Sequence, residues 1–149
     1  MNALIISDCP NGSTFDQITN LRDSIKRLDA KVDLLVFAED GVYFNDRIVS
    51  ENHSEILFLE PILRKKRYDL VAISLGLEYL RRLFLKNPNL VDFLEEHSPQ
   101  TKAYIFGAST LLAQIDKDSH IQIYLYPRPG VSKLTKEFKK AILSSLKKS

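Results

Sequence analysis

Short apolar runs separated by stretches of helical periodicity constrain this chain most. Residues 3–7 (Ala-Leu-Ile-Ile-Ser) are long enough for a buried strand and too short for a helix. Phe15, Ile18, Leu21, Ile25 and Leu28 then recur at intervals of three and four, with Asp16, Arg22, Asp23, Lys26 and Arg27 between them. That spacing predicts one amphipathic helix, capped by Ser13 or Thr14. Further strands are expected over 32–38, 68–75, 102–106 and 120–126. Helical stretches are expected over 56–67, 78–84, 90–96 and 109–115, with Pro61 compatible only with a helix that starts near Phe58. Glu39-Asp40-Gly41 reads as a loop after the second strand.

Strands alternating with helices imply a mostly parallel sheet covered on both sides. With right-handed crossovers the expected architecture is α/β: a doubly wound, flavodoxin-like, five-stranded sheet with helices on both faces. An extra C-terminal helix follows Pro127-Arg128-Pro129-Gly130, with Leu134, Phe138, Ala141, Ile142 and Leu146 on one side. No repeat, low-complexity tract or linker divides the chain. Residues 1–130 are therefore expected to form the domain, and 131–149 a basic helix packed on it.

At 149 residues and 44% hydrophobic, the chain can bury a core without a staple. Its single cysteine excludes an internal disulfide and any multi-cysteine zinc site, and fits a reducing compartment. The start has no basic n-region, and no segment approaches eighteen apolar residues, so a soluble cytoplasmic protein with no membrane contact is expected. The net charge of +2 is unevenly spread. From Val131 onward six lysines face one glutamate, for +5, while residues 1–130 carry 15 basic and 18 acidic side chains. An acidic body argues against nucleic acid as a partner, and the lysines read as the solvated side of an amphipathic helix.

In open α/β sheets ligands bind beyond the carboxyl ends of the strands. Two loops fall there. In Asp8-Cys9-Pro10-Asn11-Gly12-Ser13-Thr14, Gly12 permits a turn, and Ser13 and Thr14 bring hydroxyls to a helix start. Such a start attracts anions and lowers the pKa of a neighbouring thiol, making Cys9 the candidate nucleophile or sulfur acceptor. The competing reading is an inert thiol beside an ordinary turn. In Glu39-Asp40-Gly41-Val42-Tyr43-Phe44, Asp40 could serve as an acid or hydrogen-bond acceptor, although the favoured reading is an Asx turn that simply holds the loop. The candidate rim is thus Asn11, Gly12, Ser13, Thr14, Asp40, Gly41 and Tyr43, with Ser74 ending the third strand. His53, His97 and His120 lack metal-ligand spacing, so no metal and no cofactor is expected. The fourteen aromatics (six Tyr, eight Phe) mostly occupy strand and helix-face positions and read as core.

Pro10-Asn11-Gly12-Ser13-Thr14 and Glu39-Asp40-Gly41-Val42-Tyr43, separated by one helix and one strand, resemble the paired turn motifs of the DsrE/DsrF/DsrH (Tus) sulfur-relay superfamily. Residues 109–124 are similar to the family's closing helix and strand, so the likeness spans about 3–126. The resemblance implies a flavodoxin-like fold, assembly into homo- or hetero-oligomers, and sulfur carried as a cysteine persulfide between protein partners. The family's acceptor cysteine lies near the third strand. Residues 68–77 here, Tyr-Asp-Leu-Val-Ala-Ile-Ser-Leu-Gly-Leu, contain none. The expectation is therefore a non-catalytic, oligomer-forming or partner-binding subunit, with any sulfurtransferase-like activity resting on Cys9.

Two alternatives belong to other classes. Cys9 to Thr14 looks somewhat like the phosphocysteine loop of phosphotransferase-system IIB proteins, where a thiolate accepts a phosphoryl group. The turn at Asn11–Thr14 could instead bind FMN or a nucleotide, with Tyr43 and Tyr79 as candidate flanking rings. A tyrosine phosphatase loop would need an arginine where Phe15 stands, and a receiver domain an aspartate where Ser74 stands.

Overall fold

The computed structural model describes residues 1–7, 12–38, 41–50, 65–74, 101–107, 121–125 and 136–147. These form an α/β structure built on a seven-stranded mixed sheet. In chain order the elements are β1 (Asn2–Ser7), α1 (Gly12–Lys26), β2 (Lys31–Ala38), β3 (Gly41–Phe44), β4 (Arg47–Ser50), β5 (Leu70–Ser74), β6 (Lys102–Gly107), β7 (Ile121–Leu125) and α2 (Lys136–Lys147). Across the sheet the order is β4-β3-β2-β1-β5-β6-β7. The five strands expected from the apolar runs are the five that pair in parallel, from β2 to β7.

The expected five-stranded, mostly parallel sheet requires correction at its β2 edge. The chain turns back after Ala38, and β3 pairs antiparallel with β2 and with β4. Gly41, read as loop, is the first residue of β3, and its φ of 153° lies where a side chain is disfavoured. Asn45 and Asp46 then form a two-residue turn with φ of 50° and 69°. Positive φ at both central positions gives a turn whose twist matches that of the flanking strands, and Asn and Asp tolerate it best among residues with side chains.

Pleating sends alternate residues of the parallel strands to opposite faces. On one face Ala3, Ile5, Leu34, Val36, Leu70, Ala72, Tyr104 and Phe106 form a buried core with Ile18, Leu21 and Ile25 of α1 and Phe138, Ile142 and Leu146 of α2. Both described helices thus cover the same face. The opposite face is equally buried, through Leu4, Ile6, Leu35, Phe37, Val71, Ile73, Ala103 and Ile105. The expected helices 56–67, 78–84, 90–96 and 109–115 lie largely or wholly outside the described residues.

Three local expectations shift. Helix α1 starts at Gly12, which places Ser13 and Thr14 inside its first turn instead of at the cap. It ends at Lys26, two residues short of Leu28, because the Leu28 and Asp29 amides donate to the Ile25 and Lys26 carbonyls and Asp29 takes a φ of 60°. Leu28 leaves the apolar stripe and is 36% exposed. The third parallel strand, expected from Tyr68, begins at Leu70. Tyr68 and Asp69 are spent on ties at the amino end. The Asp69 carboxylate accepts from the Asn2 amide at 2.9 Å, and the Tyr68 carbonyl accepts from the Thr101 hydroxyl at 2.6 Å.

Candidate functional site

Strands β1, β2 and β5 run parallel and end on one edge of the sheet, at Ser7, Ala38 and Ser74. Helix α1 begins at Gly12, after β1 in the chain, and β3 begins at Gly41, after β2. Gly12 and Gly41, the glycines of the two motifs, thus each follow in sequence one of two adjacent parallel strands.

The register adds a line of residues across that rim. Tyr43 pairs with Val36, Val36 with Ser7, Ser7 with Ser74, Ser74 with Phe106, and Phe106 with Tyr124. Pairing partners share a face, so all six stand on the side covered by α1 and α2. Strand spacing puts Tyr43 about 14 Å from Ser74. Tyr43 packs partly buried against the core, and the row ends where Tyr124 and Phe106 meet the Phe138 ring, with centroids 5.5 and 5.4 Å away.

Two hydroxyls, Ser7 and Ser74, interrupt this otherwise apolar and aromatic row as its two central members. Ser74 is 3% exposed, which makes it a lining residue and not an accessible nucleophile. Sequence reasoning missed Ser7. Its signal was a hydroxyl closing an otherwise apolar strand directly before the Asp8 loop.

Of the predicted rim residues, the structure thus brings Gly41, Tyr43 and Ser74 to one edge, with the backbone of Gly12, Ser13 and Thr14 in the first turn of α1. Cys9, Asn11 and Asp40 lie outside the described residues, as do Tyr79 and the three histidines. Among the described residues no group of three or more His, Cys, Asp or Glu could hold a metal ion, and no helix is long and apolar enough to cross a membrane.

Among the described residues, the strongest electrostatic arrangement lies at the opposite, amino end of the sheet. The Asp33 carboxylate accepts from the Tyr68 hydroxyl at 2.6 Å, from Lys66 Nζ at 2.9 Å and from Asn45 Nδ2 at 2.9 Å. Burial alone would raise this carboxyl. The bonds from Tyr68, Asn45 and Lys66, with the Lys66 charge, outweigh burial and hold it below the ordinary carboxylate value. Burial, then the bond to Asp33 and its charge, push the Tyr68 phenol upward, so it stays protonated and donating. On the row beside the rim, burial and then Tyr104 raise the Tyr124 phenol.

No protein-family model matches this chain, and neither does any curated protein.

Proposed function

We propose that this chain is a flavodoxin-like domain of DsrE type that works by binding protein partners, as a subunit of a homo- or hetero-oligomer in the cytoplasm. The carrying observation is the register of Ser7 with both Val36 and Ser74, which sets the ends of the first three parallel strands side by side. Counting only the parallel strands, their spatial order is second, first, third, fourth, fifth, the order of flavodoxin-like sheets. The strands that precede the two glycine motifs, β1 and β2, end side by side, which supports the sulfur-relay resemblance. Cytoplasmic placement rests on the lone cysteine.

The third parallel strand ends in a buried serine where the family's acceptor cysteine would lie nearby, which favours a non-catalytic subunit. Sulfur carriage, if present, falls to Cys9, the chain's single thiol. Light scattering on the purified protein, with identification of co-purifying chains, tests assembly; a strictly monomeric protein that retains no partner ends the reading. Incubation with a cysteine desulfurase tests carriage. A mass gain of one sulfur in the native protein and none in Cys9→Ser assigns the thiol, and no gain in either removes the transfer role.

A second reading is favoured by the reversal of chain order about β1, at the end of the sheet beyond which α1 follows in sequence. There the rim binds a phosphate-bearing small molecule such as FMN or a nucleotide, or presents Cys9 as a phosphoryl acceptor. A yellow protein as purified, or a Cys9-dependent phosphoryl adduct, would select between them.

A further inference from the structure

The β3–β4 hairpin forms the outer edge of the sheet, and most of it is poorly buried. Gly41 and Val42 are buried and Tyr43 and Phe44 half-buried, but Asn45 to Val49 are exposed, with Ile48 at 52% and Val49 at 49%. An edge with so little apolar burial opens more readily than the core strands. Its turn is nevertheless tied down. The Asn45 amide donates to the Leu34 carbonyl at 2.8 Å, Asn45 Oδ1 accepts from the Leu34 amide at 2.8 Å, and Asn45 Nδ2 donates to Asp33. Through its other oxygen the same carboxylate holds Lys66 and Tyr68, on the segment that leads into β5. The neighbouring Arg22–Asp46 ion pair, 4.0 Å long with Asp46 78% exposed, adds little.

We infer that Asp33 is a latch: its charged carboxylate binds the hairpin turn to the segment before β5 and sets the opening of the hairpin separately from the unfolding of the body. Three donors converge on one largely buried carboxylate, and no neutral side chain of that size satisfies all three. The latch guards β2. If the hairpin lifts, β2 becomes the outermost strand and offers the apolar run from Leu34 to Ala38 for strand addition. This inference is independent of the functional reading above.

Amide hydrogen exchange of the full chain, followed residue by residue, tests it. In Asp33→Asn, exchange over the hairpin should accelerate about 10- to 100-fold more than at Val71–Ser74 and Ala103–Phe106. Tyr68→Phe, which removes one donor and keeps the carboxylate, should give a smaller rise in the same segment. Equal acceleration in the hairpin and in β5–β6, or none in the hairpin, overturns the latch. If Asp33→Asn does not fold, the Tyr68→Phe and Lys66→Met proteins decide by the same comparison.

Discussion

Truncating Phe138 to alanine probes how α2 is held. The side chain is wholly buried, lies 5.4 Å from the Phe106 ring and 5.5 Å edge-on from Tyr124, and leads the stripe completed by Ile142 and Leu146. Removing a fully buried phenyl ring costs about 3–5 kcal/mol, through lost transfer free energy and the cavity left behind. The two aromatic pairs, each worth about 0.5–1.5 kcal/mol, favour the upper half of that range. Since domains of this size are stable by about 5–15 kcal/mol, Phe138→Ala should lose a large part of the total. Urea unfolding followed by circular dichroism gives the difference directly. Lys140→Ala, an exposed change on the same helix, should stay within about 0.5 kcal/mol of the parent. A Phe138→Ala loss below about 1 kcal/mol would refute the assignment of this ring to the shared core.

Two further outcomes follow from the backbone and the Asp33 cluster. Gly41→Val should cost about 1–3 kcal/mol in thermal or urea unfolding, because the native φ of 153° disfavours a β-branched side chain. The lowered Asp33 carboxyl stabilises the fold above its ordinary value of 3.8, and that contribution disappears as pH falls through the still lower folded value. The raised Tyr68 phenol acts in the opposite sense. Its contribution is complete below 10.0 and is lost as pH rises beyond it. Unfolding free energy measured against pH should therefore show an acid limb that weakens in Asp33→Asn and an alkaline limb that weakens in Tyr68→Phe.

The parallel part of the sheet was legible because runs such as Ala-Leu-Ile-Ile and Leu-Val-Ala-Ile are too short and too uniformly apolar for anything but strands buried on both faces. The stripe of α1 was legible as far as Ile25. Leu28 misled because periodicity continues past the point where Asp29 turns left-handed. The hairpin was missed although Val42-Tyr43-Phe44 and Ile48-Val49 flank Asn45-Asp46, a pair suited to a tight two-residue turn. The glycine of Asp40-Gly41 drew attention to a loop, when it was needed to begin a strand. Of the rim, Ser74 could be placed because it ends a strand, whereas Tyr43, read as loop, lies inside β3. The Asp33 cluster could not be foreseen, since it joins residues 33, 45, 66 and 68 and depends on tertiary folding alone.

The position of α2 has a consequence for biosynthesis. Phe106 and Tyr124 meet the Phe138 ring on a segment made only after the seven described strands have been translated. Until residues 136–147 have been made and have docked, Phe106 and Tyr124 lack the Phe138 ring that packs on them in the fold. Apolar surface exposed before that docking is open to chaperones or to aggregation.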